Sequence, residues 1–149
     1  MCGPPLSPFF AIRSGVTIAA PIPKVWAILV DFPRYAEWNP YIRSIAGEAR
    51  EGTRLEVCVV PPQHREQRYA PVVLKAAEGE ELRWRGRLRH GLTTVEHSFR
   101  FEPDGTGTRF RQDASFSGFL VRFVGEEKRS AFRGGIEEMN AALKRRAEG

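Results

Sequence analysis

Cysteine is scarce in this chain: Cys2 and Cys58 are the two among 149 residues. That excludes a disulfide scaffold and fits a reducing cytoplasm. Histidine is nearly as rare, and His64, His90 and His97, with two distant cysteines, offer no zinc-ligand spacing. Neither a metal nor a cofactor is expected. The sequence has no Gly-x-Ser-x-Gly elbow, and no Gly-Lys-Ser/Thr follows Asp104-Gly105-Thr106-Gly107, so that stretch is a hairpin turn and not a phosphate loop. No histidine is tied by spacing to a serine or cysteine nucleophile. Long apolar runs are missing too. The longest, residues 25–30, is far short of the ~20 residues that span a bilayer. The first twelve residues carry no basic group ahead of Arg13, so no secretory leader is expected and the cytoplasm is the expected location.

What is present suffices for one domain. Apolar residues make up 42% and charged residues 28%, which excludes a disordered chain. A net charge of +5 permits anionic partners without requiring one. Residues 1–8, rich in proline, are expected to form a loose tail before a single domain over 9–147. Residues 9–19 are β-branched enough for a first strand, which Pro21 and Pro23 stop. Val25, Trp26, Leu29 and Val30 then recur at helical spacing, with Pro23 suited to the first helical position. Asp31-Phe32-Pro33 breaks this helix, and one further turn is expected over 34–38.

From there the pattern becomes period two. Six strands are expected over 41–48, 54–60, 67–77, 81–89, 93–102 and 106–116, divided by turn chemistry such as Glu51-Gly52, Pro61-Pro62 and His90-Gly91. Short connections imply an antiparallel meander. After Gly118, residues Leu120, Val124, Ala131, Phe132, Gly135, Ile136, Met139, Ala142 and Leu143 mark one face of a long helix. Lys144-Arg145-Arg146 near its end complements the helix dipole. The fold class expected is α+β, with seven antiparallel strands curved round the last helix.

Leu82, Trp84, Gly86 and Leu88 share one strand face, while Arg83, Arg85, Arg87 and Arg89 share the other. Val95, His97, Phe99 and Phe101, then Phe110, Gln112, Ala114 and Phe116, continue the apolar side. Such a face packs against something, and the last helix is the obvious cover. Turn lengths set His97 opposite Trp84 and Ala114, with Gln112 diagonal to it. His97 is either a core histidine bonded to a neighbour or the polar handle of an apolar cavity, where it could act as acid or base. The residues expected at the cavity are Trp84, His97, Phe99, Phe110, Gln112 and Phe116, with Trp38 and Phe132 from the helices. Helical spacing puts Glu127 or Lys128 at the inward positions, where they either point out past the cavity mouth or place a charged group at its entrance. Cys58 alternates with Arg54 and Glu56, away from the core positions. The arginine face suits a solvated surface or weak contact with polyanions or anionic membranes. Its strands keep their aromatics on the other side, so no specific nucleic-acid binding is expected.

These residues resemble a family. Pro23-Lys24-Val25-Trp26-Ala27-Ile28-Leu29, leading through Asp31-Phe32-Pro33-Arg34-Tyr35 to Glu37-Trp38-Asn39-Pro40, is similar to the opening motif of START-like proteins related to polyketide cyclases, the superfamily that includes the birch-pollen allergens. Glu81-Leu82-Arg83-Trp84-Arg85-Gly86-Arg87-Leu88, Glu96-His97-Ser98-Phe99, Gly107-Thr108-Arg109-Phe110, Phe116-Ser117-Gly118 and Met139-Asn140-Ala141-Ala142-Leu143-Lys144 extend the likeness to nearly the whole chain. The resemblance implies a helix-grip fold with a tunnel for an apolar molecule. Members bind lipids, sterols, polyketides, hormones or quinones, and a minority catalyse cyclisation or dehydration. Fold alone does not choose among these. The family carries no single catalytic set, so no residue is transferred as catalytic. Three functions follow: a binder of a small apolar ligand, a cyclase or dehydratase using His97 with Gln112 as carbonyl partner, or a partner-interaction module using the arginine face. The first is favoured, because the pocket aromatics stand without a second titratable group and acid–base chemistry needs a positioned pair.

Overall fold

The β-branched and aromatic residues of Phe9–Ile18 form the first strand, β1. Helix α1, Ile22–Val30, opens with proline in its first turn and buries Val25 and Leu29. A 3₁₀ helix, Phe32–Glu37, follows and buries Phe32 and Tyr35. Seven further strands come next: β2 (Ile42–Ala46), β3 (Glu56–Val59), β4 (Gln67–Tyr69), β5 (Val72–Ala77), β6 (Glu81–Leu88), β7 (Thr93–Asp104) and β8 (Gly107–Ser117). Helix α2, Glu126–Glu148, ends the chain. The structure is a computed structural model and describes residues 9–88, 91–118, 121 and 123–149. The expected tail 1–8, Cys2, Arg89, His90 and Leu120 lie outside the described residues.

The class is α+β with antiparallel pairing, but the strands do not form one seven-stranded sheet. Five make a sheet in the order β1-β8-β7-β6-β5, and β2-β3-β4 make a second. The stretch expected as one strand over 67–77 divides at Ala70-Pro71, because proline has no N–H for a ladder. Its first part pairs Tyr69 with Val57 of β3, and its second pairs Val73 with Trp84 of β6. The two sheets meet where Trp84 Nε1 donates to Tyr69 Oη at 3.0 Å. Gly86 makes that seam possible, since a Cβ there would stand 2.8 Å from Pro71 Cα and 2.9 Å from Tyr69 Cδ2.

The register places His97 opposite Trp84 on β6 and Ala114 on β8. Helix α2 covers the inner face with Phe132, Ile136, Met139, Ala142 and Leu143, all buried. Its C-terminal turn is clamped to the end of β1 and the residue after it: Ala19 N donates to Glu148 Oε2 at 2.7 Å, and Lys144 Nζ donates to the Thr17 carbonyl at 2.8 Å. Arg146 adds a pair to Glu37 at 2.6 Å. Among the described residues no helix is long and apolar enough to cross a membrane.

Candidate functional site

The middle of the sheet–helix interface is solid. Trp84, Phe99, Phe110 and Gln112 are each 0% exposed, and His97 is 3% exposed. Alternation on β6, β7 and β8 stacks these side chains in one layer, with Trp84 and Phe99 centroids 5.2 Å apart and Phe99 and Phe110 6.1 Å apart. The His97 ring lies on Phe99 at 4.5 Å.

A directed chain of hydrogen bonds crosses this layer. His97 Nε2 lies 2.7 Å from Gln112 Oε1, which can only accept, so Nε2 carries the proton. Gln112 Nε2 donates to Asn140 Oδ1 at 2.7 Å, and Asn140 Nδ2 donates to Ser14 Oγ at 2.9 Å. The chain runs from the sheet centre through α2 to half-buried Ser14 on the edge strand β1. Burial pulls the His97 pKa down to about 4, against a smaller upward effect of the Gln112 bond. The imidazole is therefore neutral at physiological pH.

An apolar cavity of about 230 Å³ opens at the N-terminal end of α2. Phe10 of β1, Phe116 of β8 and Phe132 of α2 form its aromatic wall, with Phe10 stacked on Phe116 at 5.3 Å and Phe132 tilted against Phe116 at 5.0 Å. Leu88 and Thr93 contribute from the β6–β7 hairpin, Gln67 from β4, and Val121, Phe123, Val124 and Gly125 from the segment leading into α2. Arg129 holds that segment down: its Nε donates to the Val124 carbonyl at 3.0 Å and its guanidinium lies 4.9 Å from the Phe10 ring centroid. Of the two charged positions expected to turn inward, Lys128 lines the cavity and Glu127 is exposed.

Of the eight residues read from the sequence, Phe116 and Phe132 stand on this wall. Trp84, His97, Phe99, Phe110 and Gln112 belong to the filled layer. Trp38 is half-buried and packs edge-on against Tyr35 at 5.2 Å. Sequence reasoning missed Phe10, although it is the inward residue next along β1 from Ile12. It also missed Val121, Phe123 and Gly125, and it placed Val124 on the face of the long helix, whereas α2 begins at Glu126.

The arginine face is woven into ion pairs. Arg83 and Arg85 reach Glu96 at 3.9 and 3.8 Å, Arg100 reaches Asp113 at 3.6 Å, and Arg111 reaches Glu102 at 3.3 Å. A hollow of about 730 Å³ lies on this outer side over Gly15, rimmed by Arg13, Arg100, Arg109, Arg111 and Asp113. It is a shallow gap between long polar side chains with little apolar wall. Cys58 departs from expectation: it is 3% exposed, because long neighbours roof it. Its cross-strand partners are Ser44 and Arg68, and Arg68 binds Glu66 at 2.7 Å. Burial and the nearby Glu66 push the thiol pKa up, which makes Cys58 a poor nucleophile. Among the described residues no cluster of His, Cys, Asp and Glu could hold a metal ion.

A curved antiparallel sheet gripping a long C-terminal helix defines the helix-grip class of START-like folds. The chain belongs to the family described as polyketide cyclase / dehydrase and lipid transport, which it matches over residues 10–148. Similar solved structures include a START superfamily protein from Mycobacterium smegmatis, at 22% identity and a TM-score of 0.74 over 93% of this chain and 97% of that one. The Zhui aromatase/cyclase from a Streptomyces species is similar at 16% identity and a TM-score of 0.75, over 94% of each chain. No curated protein matches the chain in sequence.

Proposed function

We propose that this protein binds a small apolar or aromatic molecule in the cavity at the N-terminal end of α2. The observation that carries the reading is the aromatic wall of Phe10, Phe116 and Phe132 around about 230 Å³ of space. Cavities of this kind, apolar with few polar groups, are where small molecules bind. At about 30 Å³ per heavy-atom-sized group, the space takes on the order of eight such groups. That is below the ~300–1,000 Å³ of drug-sized pockets, so the buried part of the ligand is a short chain or a single ring system.

Binding is favoured over catalysis by the placement of His97. It stands outside the cavity wall, its Nε2 is committed to Gln112, and its proton affinity is depressed. A general base needs reach to the reacting proton, and the filled aromatic layer denies it. The buried thiol of Cys58 and the low cysteine count suit work in a reducing cytoplasm.

The test is a titration with 1-octanol followed by backbone amide shifts, beside native mass spectrometry of freshly purified protein. Saturable shifts should centre on Phe10, Phe116 and Phe132. Val124→Trp should abolish them, since Val124 is half-buried on the wall and a larger ring there fills the space. Shifts that survive Val124→Trp, or that centre on the outer sheet face, would refute this assignment.

A further inference from the structure

Seven polar side chains are buried among the described residues: Asn39, Thr93, His97, Ser98, Thr108, Gln112 and Asn140. Six of them have hydrogen-bond partners. His97, Gln112 and Asn140 form the chain across the filled layer. Ser98 Oγ donates to Glu81 at 3.1 Å, and Thr108 Oγ1 donates to the Ala20 carbonyl at 2.8 Å. Asn39 Oδ1 accepts from the Tyr41 and Ile42 N–H groups. Thr93 is the exception. It is 7% exposed, and among the described residues its hydroxyl meets no hydrogen-bond partner. Buried hydroxyls are nearly always paired, so one that is not calls for a reason.

Its position supplies one. Alternation along β7 sets Thr93 on the inner face with Val95 and His97. It pairs with Leu88 across the hairpin, and both line the apolar cavity. Val95, the next inner residue, pairs with Phe116, so Thr93 stands at one end of the aromatic wall. Among the described residues the other polar side chains on that wall are Gln67 and Lys128. Gln67 is half-buried and uncharged, and Lys128 already has a partner.

We infer that the molecule bound in this cavity carries an uncharged oxygen, a hydroxyl or a carbonyl, that hydrogen-bonds Thr93 Oγ1. The inference rests on the cavity reading above and names the ligand class and the residue that selects it. A threonine hydroxyl both donates and accepts, so it serves either oxygen. Its β-branched side chain has few rotamers, which fixes the oxygen's place relative to the rings of Phe116 and Phe132. A pure hydrocarbon would leave the hydroxyl dry and unpaired. A charged head would lose water beside Phe116 and Leu88, where the one charged side chain described on the wall is already engaged.

Benzyl alcohol, benzaldehyde, ethylbenzene and benzylammonium have one ring and equal heavy-atom counts, and they separate the terms. Each is titrated by backbone amide shifts into the parent, Thr93→Val and Thr93→Ser. Thr93→Val keeps the branched shape and removes the hydroxyl. It should weaken benzyl alcohol or benzaldehyde roughly fivefold, the value of one net hydrogen bond, and leave ethylbenzene unchanged or tighter. The ligand that loses more identifies the oxygen as hydroxyl or carbonyl. Thr93→Ser should retain the parent's preference, and benzylammonium should bind weakest. Thr93→Val should also melt no lower than the parent, because no bond within the protein is lost. Equal responses of benzyl alcohol, benzaldehyde and ethylbenzene to Thr93→Val would overturn the assignment and leave the cavity standing. A clearly lowered melting temperature in Thr93→Val would overturn it too, since the hydroxyl would then hold the fold. Benzylammonium binding as tightly as benzyl alcohol would overturn the uncharged head. Failure of all four to bind would remove the cavity reading and this inference with it.

Discussion

Two neighbouring glycines on α2 should respond to alanine with opposite signs. Gly134 and Gly135 both sit inside the helix, and neither has positive φ, so alanine fits the backbone at each. Alanine gains about 1 kcal/mol over glycine in a helix interior. At Gly134 a Cβ would meet only Pro62 Cγ at 3.8 Å, an ordinary contact. Gly134→Ala should therefore stabilise the protein by roughly 0.5–1 kcal/mol. At Gly135 a Cβ would overlap the ring of Tyr41 at Cδ1 and Cε1. Tyr41 is 3% exposed, and its backbone is pinned: Tyr41 N donates to Asn39 Oδ1 at 2.9 Å and its carbonyl accepts from Val60 N at 2.8 Å. The ring cannot withdraw, so the overpacking cost lies in the upper part of the usual ~1–3 kcal/mol.

The propensity gain is common to both variants and cancels in their difference. What remains is the overlap with Tyr41, about 2–3 kcal/mol, which is about 4–12 °C between their melting temperatures for a chain of this size. Thermal melts by circular dichroism, with urea titrations as a check on the slope, measure it directly. Adding Tyr41→Leu to Gly135→Ala should recover much of the loss, and the double-mutant cycle then reports the coupling. Two variants that both gain stability, within about 0.5 kcal/mol of each other, would show that α2 does not lie on Tyr41 as described.

His97 should make the fold acid-sensitive. Its pKa is about 4 in the folded protein against 6.5 ordinarily, so the unfolded chain takes up the proton first and stability falls as pH drops from about 6.5 to about 4. The loss saturates at roughly 3 kcal/mol. Chemical denaturation of His97→Gln across that window should give a flatter curve than the parent, and parallel curves would contradict the burial argument. On the outer face, heparin binding should be weak and vanish by physiological salt, because most of its arginines already have acidic partners. Submicromolar binding at that salt, lost in Arg85→Glu with Arg87→Glu, would establish the polyanion surface after all.

How much of this was legible follows from what a repeat of two can encode. The burial of Leu82 and Trp84 and the exposure of Arg85 and Arg87 follow directly from alternation, since one sheet face is covered. The pairing of His97 with Trp84 and Ala114 followed from turn lengths, because a tight turn leaves few registers. Other features are not properties of a single strand. Whether the layer around Phe99 is filled or hollow depends on the summed volumes of facing side chains, which periodicity does not record. Pro71 ends a ladder only once its neighbours are known, and strand-forming residues on both sides of it, Tyr69 before and Val72 and Val73 after, disguised the break between β4 and β5. Cys58 looked outward by alternation and is buried because Arg68 and Glu66 lie over it, a tertiary fact. The cavity wall draws on Val121, Phe123 and Gly125, which continue no period, and so escaped a reading built on periods.

The buried polar chain and the cavity are connected through α2. Apolar contacts are non-directional, so a helix lying only on an apolar sheet could slide until any gap beneath it closed. Hydrogen bonds are directional, and a buried amide left unpaired costs about 1–3 kcal/mol. Gln112 Nε2 to Asn140 Oδ1, and Asn140 Nδ2 to Ser14 Oγ, tie one point of α2 to both β8 and β1. The Lys144 and Glu148 contacts with the end of β1 and the residue after it fix a second point near the C-terminus. Phe132 lies eight residues before Asn140, about 12 Å along the helix axis, so its height above Phe116 is set by those anchors rather than by its own contacts. Sliding α2 to close the space beside Phe132 would break both amide bonds. His97, Gln112 and Asn140 thus hold open the end of the interface where the cavity lies without lining it themselves.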